Sequence, residues 1–346
     1  KIFLKKGSNI FSDKIKISLI LLDDKKSAPA RIDHIEVISF SSIQDPYEKL
    51  KTYIDFCNEQ QFDHICWVAC VQNLAMYMGL QLAPVQSYWS MKYHSIVMPT
   101  IQKYAGLGFG GDNFNFDDTE WYRGRAFPDL QMPNRDSRLI NNLRSSCNLS
   151  EDSLLVGCFV RSEKLHDPLF WDSILKILNS SPNVHFAIAS QDIPQGLLEY
   201  ISKLSASSQS RFHKLGWVNT KEWAFALDIY YDSSPRGSCN TIFEAIEADV
   251  PVLLADSEHN RESSALPYLA SANKALNLTT TIPGVFSNEA DRLNACLKLL
   301  SDSSLRHQLA SDQNKLFLNL KGHQYLFAKD YLSFFLDESL TLARKV

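Results

Sequence analysis

Small and hydrogen-bonding residues crowd one loop of this 346-residue chain. The stretch DIYYDSSPRGSCNTIFEAIEADVPVLLAD, residues 228–256, has the pattern of a strand, a polar loop, a helix and a second strand. A helix that begins near Asn240 leaves its first backbone N–H groups without helical partners, and its dipole adds partial positive charge. Thr241 and Glu244 have the spacing of a capping box, and Gly237 lets the backbone approach a ligand closely. We therefore predict an anion site, with a diphosphate as the natural ligand; an ordinary capped helix is the alternative.

A second connection between a strand and a helix is rich in cations. In VGCFVRSEKLHDPLFWDSIL, the residues Arg161, Lys164 and His166 lie between the apolar run and the helical pattern. The carboxyl ends of parallel strands share one edge of a sheet, and ligands of open α/β sheets bind there. We therefore expect the two loops to converge, with Lys164 holding the diphosphate from a second side. A solvated surface charge is the alternative interpretation.

Apolar runs and amphipathic segments alternate along the chain and must position these loops. The predicted strands are 34–40, 62–70, 80–89, 153–161, 183–190, 212–218, 228–232 and 251–256, and the predicted helices are 45–60, 167–181, 193–207, 240–248 and 324–345. The region 104–150 is interpreted as loop, including GLGFGG, which lacks the spacing of a dinucleotide fingerprint. Regular β-α-β alternation predicts an α/β fold with parallel sheets wrapped by helices.

The length of the chain and one polar segment indicate two domains. The Ser-rich segment 145–152 is interpreted as a linker. This gives an amino-terminal domain over 1–150, a second domain over 151–323, and a carboxy-terminal helix over 324–346 that can cross back to the first domain. The chain starts at Lys1 rather than Met, so we allow for a missing amino-terminal piece.

Composition narrows the class of protein. A hydrophobic share of 45% with 21% charged residues is typical of a globular protein, and the net charge of −4 argues against a general nucleic-acid or anionic-membrane binder. No apolar run approaches the roughly 20 residues of a membrane-spanning helix. Among seven cysteines, Cys66 and Cys70 form a C-x3-C pair, a spacing that favours buried thiols in a reducing compartment over a zinc site. We therefore expect a cytoplasmic location.

The order of several motifs resembles the carboxy-terminal domain of O-linked N-acetylglucosamine transferase and the cytoplasmic HMW1C-like protein glucosyltransferases of bacteria. The motifs are K-x(2–3)-P before an apolar helix, SPNVHFAI, RFHKLGWV and the stretch quoted first, within 153–272. Weaker matches are LAPVQSYWSMKYH and WYRGRAFP. The resemblance implies a GT-B fold, in which two Rossmann-like domains with parallel sheets face a central cleft. It also implies inverting, metal-independent transfer of a hexose or N-acetylhexosamine from a UDP-sugar to a protein or glycan acceptor, with no cofactor.

The resemblance assigns roles to residues by position. Lys164, Arg161, Asn240 and Thr241 match positions beside the donor diphosphate, Glu244 matches the acidic position that binds the ribose, and Gly216, Trp217 and Val218 match the backbone segment beside the base. This chain departs from the family in two places of the same site. The family often has Gly-His-Thr-Thr where this chain has residues 238–241, and a family glutamine is Arg161 here, which adds charge near the donor.

The general base is expected in the amino-terminal domain. His94 is the candidate because it follows the PVQSYW strand; His166, His213, Asp112 and Asp117 are lesser candidates, and any of these histidines can be structural instead. The Arg123 and Arg125 pair is either a solvated surface feature or an acceptor contact. Two other functions stay open: a degenerate GT-B protein that binds a nucleotide or a partner without turnover, and a GT-B sugar-nucleotide epimerase or phosphorylase.

Overall fold

The structure is a computed structural model that describes residues 18–22, 30–32, 35–69, 75–90, 96–107, 114–116, 118–124, 130–278, 281–322 and 334. The chain divides into two compact units. The first contains residues 1–127 and 323–346, and the second contains residues 128–322. Each unit is built around its own sheets.

The first unit contains a three-stranded and a five-stranded sheet. Its described strands are β1 (Ser18–Leu21), β2 (Arg31–Ile32), β3 (Ile35–Ser39), β4 (His64–Ala69), β5 (Val85–Ser90), β6 (Lys103–Leu107), β7 (Phe114–Phe116) and β8 (Thr119–Gly124). The orders are β1-β3-β2 and β4-β5-β6-β8-β7, with antiparallel pairing only at β2–β3 and β7–β8 among these strands. The described helices are Pro46–Gln60 and Ala75–Met78.

Aromatic residues fill the core of the first unit. Tyr53 on the helix Pro46–Gln60 meets Trp67 edge to face, and Tyr88 meets Trp121 in the same geometry, with ring centroids 6.1 and 5.9 Å apart. The helix itself begins because the Asp45 carboxylate accepts hydrogen bonds from the first backbone N–H groups. Aromatic contacts thus contribute to the packing of this helix on the sheet.

Phe334 packs on the first unit. Its ring is stacked on Tyr122, with centroids 4.5 Å apart, and its carbonyl accepts a hydrogen bond from Lys103 Nζ at 2.6 Å. The other residues of the predicted helix 324–345 lie outside the described residues. The chain thus returns to the first unit after the last helix of the second unit.

The second unit has one six-stranded sheet in which every pair of neighbours is parallel. Its strands are β9 (Leu154–Phe159), β10 (Val184–Ala189), β11 (Phe212–Lys214), β12 (Ile229–Tyr231), β13 (Val252–Ala255) and β14 (Val285–Phe286), in the spatial order β11-β10-β9-β12-β13-β14. Counted within the unit, this is the order 3-2-1-4-5-6 of a Rossmann fold. The direction of progression reverses between β9 and β12, which is where such folds bind ligands.

Helices surround this sheet. They are Ser137–Ser146, Pro168–Ser180, Gln195–Ser202, Ala206–Gln209, Thr220–Ala224, Asn240–Glu247, Glu258–Ser263, Leu266–Ala275, Glu289–Ser301 and Ser303–Gly322. Pro168–Ser180 begins at a Pro after Asp167, whose carboxylate accepts from Leu169 N, and buries Phe170 and Ile174 against the sheet. The parallel α/β fold predicted from alternation is confirmed. None of the described helices combines the length and apolar character needed to cross a bilayer.

Several predicted element boundaries are wrong. The region 104–150 is not a continuous loop, because it contains most of β6, all of β7 and β8, and the helix Ser137–Ser146. Its strands carry buried Tyr104 and Trp121, whose pattern is interrupted by polar and glycine residues. The predicted strand 212–218 ends at Lys214, because Gly216 adopts φ +69° and turns the chain away.

The polar segment 145–152 lies inside the second unit. Arg144, in the last turn of the helix Ser137–Ser146, donates to Ala226 O at 2.9 Å, to Asp228 Oδ2 at 3.0 Å and to Ser153 O at 2.6 Å. Asp228 Oδ2 also accepts from Leu155 N on β9 at 2.7 Å. These bonds attach the residues on both sides of the segment to the second unit.

Candidate functional site

The two loops singled out in the sequence follow neighbouring strands. Phe159 ends β9 and Tyr231 ends β12, and these strands pair directly at the position where the strand order reverses. The loop 160–167 and the loop 232–239 therefore leave the same edge of the sheet side by side. This is the crevice position at which open α/β sheets bind ligands.

Lys164 bridges the two loops. It is the last residue of a short 3₁₀ turn, Ser162–Lys164, and its Nζ donates a hydrogen bond to Gly237 O in the second loop. Burial lowers the pKa of the Lys164 ammonium, and the nearby Asp232 carboxylate opposes that shift. The end of the turn is held in place, because Trp171 Nε1 donates to the carbonyl of the next residue, Leu165, at 2.7 Å. A cation is thereby fixed beside the second loop.

Asp232 is a buried carboxylate at the carboxyl end of β12. Its side chain is fully shielded from solvent and accepts from Ser238 N at 3.0 Å through Oδ2 and 3.2 Å through Oδ1. Burial raises the pKa of Asp232 to about 6, while the Ser238 N–H bond and the charges of Lys164 and Arg292 hold it down. Asp232 thus folds the loop back on itself.

Gly237 sits where the loop is most tightly packed. Its N–H donates to Asn260 Oδ1 at 2.6 Å, and Asn260 Nδ2 donates to Ala255 O at 2.7 Å, which joins the loop to the end of β13. A Cβ at this position would overlap Asp232 Oδ2 and lie 2.9 Å from Asn260 Oδ1. Glycine is required here by space, because its φ is not in the left-handed region.

The helix Asn240–Glu247 begins without a side-chain cap. Its N-cap residue is Cys239, which makes no side-chain capping bond, so the predicted capping box of Thr241 and Glu244 is wrong. The physical reason is that Thr241 lies inside the helix and its hydroxyl bonds to Tyr230 and Phe159 instead. The amide groups at the helix start are thus left without a side-chain acceptor, as an anion-binding helix end requires.

Arg161 forms an ion pair within its own loop. Its Nε lies 3.0 Å from Glu163 Oε1, and two thirds of its side chain is exposed. His166, in the same connection, is also exposed. Of the predicted cations, Lys164 is therefore the one that the structure brings to the loop 232–239 by a direct bond.

Glu244 points to a different part of the site. Its side chain is buried, and its Oε2 is a buried oxygen without a hydrogen-bond partner. Burial raises the pKa of Glu244, and hydrogen bonding with Thr220 and the charge of Lys221 oppose the shift. Thr220 lies two residues after the segment Gly216–Val218, so Glu244 connects the helix start to the loop that follows β11.

The segment 216–218 leaves the sheet at its outer edge. Gly216 has φ +69° with open space around its Cα, and Val218 is half-buried. Trp217 is 84% exposed, an unusual state for a tryptophan. The structure gives this segment free backbone and an uncovered aromatic surface at the carboxyl end of β11.

A buried polar network supports the end of β12 from the core. Arg292, fully buried on the helix Glu289–Ser301, donates to Asp232 O at 2.8 Å and to Glu289 Oε2 at 2.5 Å. Its guanidinium lies over the Tyr231 ring, 4.3 Å from the centroid. Glu289 Oε1 accepts from Tyr231 and Ser173 hydroxyls, both at 2.6 Å. These bonds fix Asp232, the residue at which the loop 232–239 begins.

Asp232, Arg292 and Tyr230 were not predicted as site residues. For Asp232 a signal was available, because an acidic residue directly after the apolar run of β12 falls at the carboxyl edge of the sheet. Arg292 lies in a helix that the sequence analysis left unassigned, and nothing in its local sequence predicts full burial.

Of the remaining predicted residues, His213 has a described side chain, and its hydrogen bond lies outside this cluster. His213 pairs with His185, with Nε2 and Nδ1 2.9 Å apart and the rings stacked, which is a structural arrangement. Arg123 is in β8, and its side chain is not described. The proposed base His94 lies outside the described residues, as do Asp112, Asp117 and Arg125.

The described part of the chain contains no group of three or more His, Cys, Asp or Glu side chains arranged to hold a metal ion. The six cysteines within it are free thiols, but Cys66 is exposed rather than buried as predicted, and Cys70 lies outside it. Cys239, at the helix start, is not activated, because burial raises its pKa to about 12. Among the described residues, the candidate site therefore offers the Lys164 cation, backbone amides, hydroxyls and the buried carboxyl groups of Asp232 and Glu244.

No protein-family model and no curated protein matches the sequence. Solved structures match over nearly the whole chain. A glycosyltransferase from Rickettsia africae ESF-5 is 10% identical with a TM-score of 0.63, and the match covers 98% of this chain and 94% of that one. HepE from Anabaena, solved in complex with UDP-glucose, is 15% identical with a TM-score of 0.61 and coverage of 96% and 95%.

A third similar structure is an O-GlcNAc transferase mutant from Thermobaculum terrenum, at 16% identity and a TM-score of 0.56. The match covers 95% of this chain and 69% of that chain. Together with the parallel sheets of the two units, these similarities show that the chain has the GT-B fold with two Rossmann-like units.

Proposed function

We propose that this chain is a glycosyltransferase that moves a hexose or N-acetylhexosamine from a UDP-sugar to a protein or glycan acceptor. The observation that carries the proposal is the bond from Lys164 to the loop that leads into an uncapped helix start, at the switch point of a Rossmann sheet. Fold likeness alone does not imply an activity, so the proposal rests on these groups.

The diphosphate is assigned to the space between Lys164 and the helix Asn240–Glu247. Departure of UDP leaves negative charge on the β-phosphate, and a fixed cation together with the helix dipole stabilises that charge without reorganisation. The backbone N–H groups of Asn240 and Thr241 are the donors closest to the start of the helix. Arg161, which is exposed and paired with Glu163, is a second cation that can reach the donor by changing rotamer.

The nucleoside is assigned to the neighbouring groups. A ribose hydroxyl that donates to Glu244 Oε2 would supply the partner that this buried oxygen lacks. An unsatisfied buried acceptor costs about 1–3 kcal/mol, so ribose binding recovers energy that the empty protein gives up. The backbone of 216–218 would then face the base, since Glu244 is joined to Thr220 just beyond it.

The chemistry is proposed as inverting transfer without a metal ion or cofactor. In such a step the acceptor nucleophile attacks the anomeric carbon from the side opposite UDP, and positioning supplies much of the rate. Lys164 would carry the charge stabilisation that a metal ion supplies in other enzymes. His94 remains our proposal for the general base.

UDP-glucose in the complex with Anabaena HepE supports UDP as the nucleotide to test first. Calorimetric titration with UDP, GDP, ADP and dTDP measures the base preference, and we expect UDP to bind most tightly. Incubation with radiolabelled UDP-sugars and a panel of peptides and glycans then separates a transferase from a GT-B protein that binds without turnover. Binding without transfer to any acceptor, and without UDP-sugar hydrolysis, would contradict the enzymatic part of the proposal.

Lys164→Ala tests the cation directly. Hydrogen bonds to charged groups contribute about 1.5–3 kcal/mol, so UDP affinity is expected to fall roughly 10- to 100-fold. Lys176→Ala, at an exposed position of the helix Pro168–Ser180, is the matched control and should leave the affinity unchanged. Equal affinity of Lys164→Ala and wild type would show that the diphosphate lies elsewhere.

A further inference from the structure

Three hydroxyl groups converge on one backbone carbonyl beside the proposed diphosphate position. Tyr230 OH donates to Phe159 O at 3.0 Å, and Ser238 Oγ and Thr241 Oγ1 each donate to the same oxygen at 3.2 Å. We call Tyr230, Ser238 and Thr241 the hydroxyl cluster. It lies at the end of β9, between the end of β12 and the start of the helix Asn240–Glu247.

The bonding capacity of this arrangement is exceeded. A carbonyl oxygen has two lone pairs, and each hydroxyl has one proton to donate. Three hydroxyl protons therefore cannot all bond well to Phe159 O. One of the three protons is available for another acceptor, and the structure shows which hydroxyls can exchange partners.

Tyr230 and Thr241 are coupled to each other. Their oxygen atoms lie 2.8 Å apart, a distance at which either can be the donor, and Tyr230 OH also accepts from Phe159 N at 3.3 Å. If Tyr230 donates to Phe159 O, Thr241 can donate to Tyr230. If Tyr230 donates to Thr241, the Thr241 proton becomes free to point outward.

We propose that Tyr230 is a positioning residue for the donor diphosphate: by donating its phenolic proton to Thr241 Oγ1, it directs the Thr241 proton to a phosphate oxygen. This inference rests on the proposed function and deepens it, since it names a residue that acts on the same site without touching the ligand. Thr241 is half-buried at the helix start and can reach a ligand, whereas Tyr230 is fully buried.

The surroundings of Tyr230 suit this role. Its ring meets the Phe159 ring edge to face, with centroids 5.7 Å apart, and Tyr230 pairs with Gly157 of β9 in the sheet, so its oxygen is held at a fixed place. Burial keeps the phenol protonated by raising its pKa well above the ordinary value. The residue is thus a permanent donor with two alternative acceptors.

A double-mutant cycle separates positioning from a purely structural role. Tyr230→Phe removes the phenol oxygen and keeps the ring, Thr241→Val removes the hydroxyl and keeps the shape, and the double variant removes both. UDP affinity is measured by calorimetry, and each fold is checked by circular dichroism and thermal unfolding. We expect Tyr230→Phe to weaken UDP binding about 5- to 10-fold in the wild-type background and less than 2-fold in the Thr241→Val background.

Tyr231→Phe is the matched control, because Tyr231 is an equally buried tyrosine on the same strand whose hydroxyl bonds to Glu289 rather than to Thr241. Its effect on UDP affinity should be the same in both backgrounds. Equal losses from Tyr230→Phe in both backgrounds would overturn the inference and leave the proposed function standing. A wild-type protein that binds no UDP would overturn both.

A second substitution tests the inference if the Tyr230→Phe variant does not fold. Site-specific incorporation of 3-fluorotyrosine at position 230 makes the phenol a stronger donor and retains its packing. The inference predicts tighter UDP binding with Thr241 present and no change in the Thr241→Val background. An unchanged affinity in both backgrounds would contradict it.

Discussion

Replacing Gly237 by alanine perturbs the proposed diphosphate loop by a single methyl group. The added Cβ would overlap Asp232 Oδ2 and come within 2.9 and 3.0 Å of the Asn260 amide atoms. Neither the Asp232 nor the Asn260 side chain can move away without losing hydrogen bonds. Asp232 holds Ser238 N through both carboxylate oxygens, and Asn260 accepts from Gly237 N and donates to Ala255 O.

The magnitude follows from how the overlap is relieved. If the carboxylate of Asp232 rotates, it loses the Ser238 N–H bonds; if Gly237 retreats, its carbonyl leaves Lys164 Nζ. Overpacking of this kind costs about 1–3 kcal/mol. Both routes also move the groups proposed to hold the diphosphate, so we expect the affinity for UDP to fall about tenfold or more.

Urea unfolding measures the stability and calorimetry measures UDP affinity for Gly237→Ala. Gly322→Ala is the control, because Gly322 ends a helix and a Cβ there meets nothing within 4 Å. We expect the control to keep the wild-type affinity for UDP and to be at least as stable as wild type. A Gly237→Ala variant as stable as wild type, with equal affinity for UDP, would refute the packing described for this loop.

Two further predictions concern stability. Burial lowers the pKa of His213 to about 4 and also lowers the pKa of His185, so the folded state favours the neutral pair. The stability that the neutral pair contributes is present above the unfolded-state pKa of about 6.5. It is lost as the pH falls from there towards 4. Because His213 is partly exposed, we expect this loss to be about 1–2 kcal/mol. Urea unfolding at pH 7.5 and 5.0 measures it. A His213→Asn variant that loses as much stability as wild type would count against this role of the histidine pair. Arg144→Ala removes three donated hydrogen bonds and should lower the free energy of unfolding by about 2–3 kcal/mol. Arg138→Ala, at an exposed position of the same helix, should change it by less than about 0.5 kcal/mol. Equal effects of the two substitutions would contradict the structural role of Arg144.

The sheet of the second unit was predictable because its strands are short apolar runs separated by amphipathic helices. The runs around Val156, Phe186 and Leu253 are buried on both faces, so their sequences show no alternation and stand out. The first unit was harder. Its strands β6 and β8 carry glycine and charged residues beside the buried Tyr104 and Trp121. The burial of these two strands depends on aromatic packing across the sheet.

The candidate site was predictable in part. Lys164 and the start of the helix near Asn240 were identified because polar loops after parallel strands meet at one edge. The hydroxyl cluster could not be predicted, because Thr241 has the local pattern of a cap and only the fold brings it to Tyr230 and Phe159. Local sequence patterns thus located the loops, and tertiary contacts decided which groups point into the site.

We propose that a UDP diphosphate lies between the two loops at the switch point of the second unit. A crystal structure of the chain with UDP tests it most directly. We expect phosphate oxygens within about 2.7–3.2 Å of Lys164 Nζ and of the backbone nitrogens of Asn240 and Thr241. UDP bound with its diphosphate away from both groups would contradict it.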